Sequence, residues 1–233
     1  MGNRERIEKI ISESLNKQAS QQKEFYLFGN LMYLQEPFLG EVNVQSVINT
    51  LEAKIPAHLF GEIDTIMVGT FDFLEERELE AIYKDAAIYV SNKLETDRDL
   101  LENILHELSH SLEESLGHFI YGDSRVTREF VGKRKTLERI LKSNDLNTDA
   151  LNFEKCEYDE EFDMYLYAEV GYPTLRSLTT GLFHTPYAIT SLREYWASGF
   201  EDYFLGKREY IKDISPELFN KIEGVITYEN WNF

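Results

Sequence analysis

Residues 96–117 read TDRDLLENILHELSHSLEESLG and contain the pentad His106-Glu107-Leu108-Ser109-His110. On an α-helix, residues four apart stand one above the other, so His106 and His110 direct their imidazoles at one point. Zinc takes neutral imidazole nitrogens at about 2.0–2.1 Å, and this spacing suits it. Glu107 falls ~100° further round the helix, beside that point rather than on it. A carboxylate so placed can take a proton from a water held by the metal. Leu101, Ile104, Leu105, Leu108, Leu112 and Leu116 form an apolar stripe centred about 160–200° from the histidine pair, which puts the histidines off the face that packs into the core. Thr96 with Asp99 three residues on predicts an N-cap, and Gly117 predicts the C-terminal stop.

The composition limits what surrounds this helix. At 233 residues the chain can bury a substantial core, and 14 Tyr and 15 Phe argue against disorder. A single cysteine, Cys156, excludes an internal disulfide. No apolar run approaches the length of a membrane span, and residues 1–20 are too polar for a secretory signal. The expected location is therefore the cytoplasm. A net charge of −18 disfavours nucleic acid and acidic membranes as partners and mildly favours a basic polypeptide.

Along the chain, residues 3–23 predict a charged, weakly amphipathic helix with Ile7, Ile10, Ile11 and Leu15 on one side. Residues 25–40 read as packed but irregular, so that 1–40 form an N-terminal helical arm. Val44 to Leu51 predicts a helix that stops before Pro56. Ile63 to Gly69 and Ala87 to Ser91 predict strands, whereas Glu75 to Tyr83 fits either a solvated loop or a further strand. The 87–91 strand precedes the metal helix; it is either a free edge able to pair with an extended peptide or an ordinary inner strand. Ser124 to Lys142 predicts a basic helix paired internally. The acidic block at 144–169 fits a lid, a specificity loop or a linker.

A catalytic zinc site uses three protein ligands and leaves one position open for water. Two residues compete for the third place. His118, just past the glycine, would complete an all-histidine site. Glu194 would open a second amphipathic helix running to about Leu205, yet Ser191-x-x-Glu194 is also a capping box in which a glutamate serves the helix end. The residues alone leave both open.

The stretch Tyr187-Ala188-Ile189-Thr190-Ser191-Leu192-Arg193-Glu194-Tyr195-Trp196-Ala197-Ser198-Gly199-Phe200 resembles the corresponding segment of anthrax lethal factor and related zinc metallopeptidases of the gluzincin group. There a tyrosine stands seven residues before a glutamate ligand, which is followed by two aromatics, an alanine and a downstream phenylalanine. The resemblance implies that His106, His110 and Glu194 bind zinc, that Glu107 is the general base, and that Tyr187 donates to the oxyanion. It covers the metal helix and residues 187–205, and the long 144–183 stretch departs from it.

The expectation is an α+β, zincin-like fold: a small mixed sheet and the metal helix in a lobe of residues 41–119, and a mostly helical lobe of 120–233. An extended polypeptide would lie in the cleft between them and be hydrolysed. Two rivals stand beside it. One is a crosslink-repair type peptidase using His118, and the other is a zinc-stabilised binding or assembly module without catalysis. A structural zinc is normally closed by a fourth protein ligand and needs no base beside it, so Glu107 counts against the second.

Overall fold

The computed structural model describes residues 23–228, and the helix expected over residues 3–23 lies almost wholly outside that range. The protein is a mixed α+β chain built on a small five-stranded sheet. The described residues divide into two compact units: 23–53 with 63–104, and Lys54–Glu62 with 105–228. The division falls just before the pentad, between Ile104 and Leu105, earlier than the 119/120 boundary expected from sequence.

The first unit holds the sheet. Strand β1 (Glu24–Leu27) and β2 (Asn30–Leu34) form a hairpin, so residues 25–34 are not irregular and do not extend a helical arm. Its two-residue turn, Phe28-Gly29, has φ of 52° and 91°, the left-handed pair that a tight hairpin requires and that glycine adopts without strain. Helix α1 (Val44–Lys54) follows, with Asn43 Oδ1 accepting from the Ser46 N–H at 3.1 Å. Next come β3 (Thr65–Gly69), the single turn α2 (Asp72–Glu75), β4 (Ala81–Lys84) and β5 (Ala87–Ser91). The spatial order is β1-β2-β3-β5-β4, with β2, β3 and β5 parallel to one another and the outer strands antiparallel. Of the two readings of residues 87–91, the inner strand holds: β5 lies between β3 and β4, and β4 is the edge strand on that side. Ile66, Val68, Ile88 and Val90 are fully buried, each contributing about 1.5–3 kcal/mol by leaving water.

Helix α3 (Asp97–Tyr121) contains the pentad. Thr96 Oγ1 accepts from the Asp99 N–H at 3.2 Å and Asp99 Oδ2 accepts from the Thr96 N–H at 2.9 Å, the reciprocal capping box that the sequence predicts. Its end differs: Gly117 does not stop it, and the helix runs one turn further.

The second unit is helical. Helix α4 (Arg125–Ser143) is followed by α5 (Glu160–Met164), a π-helical stretch Tyr165–Val170, α6 (Tyr172–Leu178), a 3₁₀ turn Tyr187–Ile189 and α7 (Leu192–Asp202). A second π-helical stretch (Tyr203–Lys207), α8 (Arg208–Ile214) and α9 (Pro216–Ile226) complete it. The acidic stretch is not a solvated linker. Arg134, fully buried on α4, donates to the Lys155 and Asn152 carbonyls and stacks 3.8 Å over the Phe162 ring. At Gly199 any Cβ would stand 2.4 Å from Leu218 Cδ2, so this glycine sets how closely α7 and α9 approach. Among the described residues no helix is long and apolar enough to cross a membrane.

Candidate metal centre

Every residue of the candidate site belongs to the second unit. On α3 the rings of His106 and His110 meet edge to face with centroids 4.9 Å apart. Together with Glu107 they form a group whose ligand atoms all lie within 4.8 Å of one another. The turn that carries them is enclosed, since Glu107, Leu108, Ser109, His110, Ser111 and Leu112 are all buried. The apolar stripe therefore marks one buried face of a turn that is covered on most sides, with His106 left partly exposed. Trp196 of α7 contributes to this by donating its indole N–H to the Ser109 carbonyl at 3.0 Å.

Glu194 stands in the first turn of α7. Its N–H is capped by Ser191 Oγ at 3.1 Å, but its carboxylate does not return to the helix end. Oε2 lies 3.0 Å from His106 Nε2, and Oε1 lies 3.8 Å from His110 Nε2. Two donors bonded to one tetrahedral zinc at ~2.0–2.1 Å would be about 3.3 Å apart, and these separations bracket that value. Glu194 Oε2 is also buried and accepts no hydrogen bond, despite the imidazole 3.0 Å away. A carboxylate oxygen kept from water is costly unless a positive charge stands beside it, a part that either a protonated His106 or a cation among the three side chains would fill. The residues present fit a divalent ion held by two imidazoles and one carboxylate.

Two further carboxylates stand behind the rings. Glu201 Oε2 stands 3.6 Å from His106 Nδ1, and Glu113 Oε2 stands 3.4 Å from His110 Nδ1. Such partners behind a ligating histidine fix the tautomer that turns the Nε2 lone pair toward a metal. Glu113 is itself held by the Tyr121 hydroxyl, which donates to its Oε1 at 2.7 Å. Arg193 Nε is also close to His110 Nδ1, at 3.0 Å, and to Glu113 Oε2, at 3.3 Å. A metal on His110 Nε2 requires a proton on Nδ1, which selects Glu113 as its acceptor and leaves Arg193 paired to Glu113.

Burial alone would pull the His106 imidazole down, but Glu194, Glu201 and Glu107 together push it up to about 10. Burial raises the Glu194 carboxyl, and His106, His110 and Arg193 outweigh it and hold the group below its ordinary value. A proton and a metal would compete for that imidazole.

Tyr187 opens its 3₁₀ turn directly after Pro186, and its ring centroid lies 6.1 Å from that of His106. It is 43 % exposed. Burial of the phenol, then the charge of Glu194, raises its pKa well above the ordinary value, so the hydroxyl keeps its proton. His118 is exposed on the last turn of α3 and takes no part in the cluster. The geometry thus gathers His106, Glu107, His110, Glu194 and Tyr187 and leaves His118 out.

Three contributors escaped the sequence reading: Glu113, Glu201 and Arg193. Spacing carried a signal for two of them, because Glu113 is three residues after His110 and Glu201 seven after Glu194, each on the same helical face as its predecessor. Comparison with known protein families, curated proteins and solved structures finds no match to this chain.

Proposed function

We propose that this chain is a zinc-dependent metalloendopeptidase of the gluzincin type, with a zincin-like arrangement of its metal helix and ligand helix. The observation that carries the reading is the convergence of both Nε2 atoms on the buried Glu194 carboxylate, each within 4 Å of it, with Glu107 beside them. His106, His110 and Glu194 hold the ion, and Glu201 and Glu113 orient the two imidazoles. Bound zinc supplies Lewis acidity toward a carbonyl and lowers the pKa of water toward ~7. Glu107 accepts the proton that a water gives up as it attacks the scissile carbonyl, then delivers it to the leaving amine. Tyr187, which keeps its phenolic proton, donates toward the oxygen that gains charge during the attack. The substrate class is an extended polypeptide.

Metal analysis of the purified chain combined with cleavage of a mixed peptide library tests this. One zinc per chain and hydrolysis are expected. Glu107→Gln should keep the metal while losing about 10²–10⁴-fold in rate, because an amide cannot accept the proton. A native chain that binds zinc yet cleaves nothing would leave the non-catalytic module as the better account.

A further inference from the structure

Arg193 has a feature that the hydrolytic reading does not use. Its Nε faces His110 and Glu113, at 3.0 and 3.3 Å. Its two terminal nitrogens have no partner among the described residues, and the side chain is 57 % exposed. A guanidinium anchored through Nε keeps its end-on pair of N–H donors in one plane, the geometry that receives both oxygens of a carboxylate. The anchor is rigid, because Glu113 also accepts from Tyr121 and Arg193 lies in the first turn of α7 beside Glu194. That helix end adds a partial positive charge of its own.

We propose that Arg193 is the specificity-determining residue of the site and that it receives a substrate carboxylate about two residues from the scissile bond. The proposal rests on the peptidase reading. The distance follows from the anchor: Nε lies behind His110, an imidazole's width beyond the metal-facing nitrogen, and extended chain covers ~3.3–3.6 Å per residue. The carboxylate is either an aspartate or glutamate side chain or the substrate's own C-terminus. The net charge of −18 does not forbid this, since surface charges beyond ~8 Å are largely screened at physiological salt whereas a bidentate contact acts at hydrogen-bond range. It does predict that association with an acidic peptide speeds up as salt is raised.

Peptides cleaved by the full-length chain test the idea, in pairs carrying Asp or Asn at each of the two positions on either side of the scissile bond, and with a free or amidated C-terminus. The expected result is a preference of about 10–100-fold in kcat/KM for the carboxylate member at one position, carried mainly by KM. Discrimination in the Asp/Asn set assigns the side chain, and discrimination in the acid/amide set assigns the terminus. In Arg193→Gln the preference should collapse to within about twofold, whatever its overall rate, and Arg193→Lys should restore only part of it. Equal rates for every pair in the native chain overturn the proposal while the peptidase reading stands. An Arg193→Gln chain that is slower on all peptides but keeps the native preference overturns it too, because Arg193 would then only position His110. The same pairs are measured for binding to zinc-loaded Glu107→Gln protein by fluorescence anisotropy. A carboxylate preference in binding without cleavage by the native chain supports the Arg193 site and removes the hydrolase reading. Equal affinities remove the Arg193 site.

Discussion

Two helical turns of the second unit each carry a polar pair four residues apart, and they differ in how their hydrogen bonds are completed. On α4, Glu129 accepts from the Tyr195 hydroxyl at 2.9 Å and from the Glu217 and Leu218 N–H groups at 2.9 and 3.1 Å, so it caps the start of α9. Lys133, one turn on, donates to the Leu182 and Ile214 carbonyls and to Ser215 Oγ at 2.6–2.7 Å. All three ammonium donors are used. On α3 the His106–His110 turn is not completed in this way: both Nε2 atoms and the Glu194 carboxylate converge within 4 Å, and the buried Oε2 makes no hydrogen bond of good geometry. A completed set of bonds marks a polar group that serves the fold, and convergent acceptors mark a place for something else. An open valence is not sufficient alone. Both ring nitrogens of His184 are buried without a partner, yet the nearby charges are those of Lys133 and Lys207, which with burial push the imidazole down to about 3. Two cations beside it would repel a third.

The contrast is broken most directly at Glu194. Glu194→Ala removes the one anionic ligand while its backbone stays capped by Ser191, so the chain should fold and lose its metal, measured as zinc per chain after dialysis. His118→Ala should leave the metal content unchanged. The reverse pattern would return the third-ligand role to His118 and remove the distinction drawn between the two turns.

At the completed turn the effect should fall on stability. Lys133→Met leaves two carbonyls and the Ser215 hydroxyl unpaired and Glu129 without its neighbouring positive charge. Breaking such a buried cluster costs about 3–5 kcal/mol, which urea denaturation would register, with zinc content per folded chain unaltered. A loss below ~1 kcal/mol would show that the carbonyls are solvated in the variant, and the turn would then be less closed than its bonds suggest. Tyr187→Phe acts on rate alone. If the phenol donates only as charge develops, kcat should fall by roughly 10²–10³ with substrate affinity, zinc content and thermal stability preserved. A variant within about threefold of native kcat would make Tyr187 a packing residue.

These outcomes bear on what could be read in the residues. The capping box at Thr96 and Asp99, the pentad helix and strands β3 and β5 were legible because each is a local pattern. The β1–β2 hairpin was not, because its strands span only four and five residues and Phe28 occupies a left-handed turn position that usually belongs to Asn or Gly. The β4–β5 turn hid for the same reason, with Asp85 and Ala86 both at positive φ. The enclosure of His110 and Glu107 follows from α7 packing through Trp196, which no periodicity within α3 could register. Placing Glu194 rather than His118 beside the two histidines needed either the resemblance or the structure: spacing left cap and ligand both open, and its N–H is in fact capped while its carboxylate turns toward the imidazoles.

The finest test of the contrast is Glu201. Its carboxylate lies 3.6 Å from His106 Nδ1, too long for a strong hydrogen bond, and it sits seven residues after Glu194 on the same face of α7. If its task is to hold the Nδ1 proton and so turn Nε2 toward the metal, Glu201→Gln keeps the shape and removes the charge. An amide oxygen can still accept from Nδ1, so the metal should remain but bind more weakly, by roughly 10–100-fold. That is a shift of about 1.4–2.7 kcal/mol, well below the loss expected at Glu194. Competition titration with a zinc chelator reads it directly. Because Glu201 also helps keep His106 protonated, the variant should release fewer protons on binding zinc, which calorimetry in two buffers of different ionisation enthalpy measures. Unchanged zinc affinity with unchanged proton release would place Glu201 with Glu129, as a carboxylate that serves the fold.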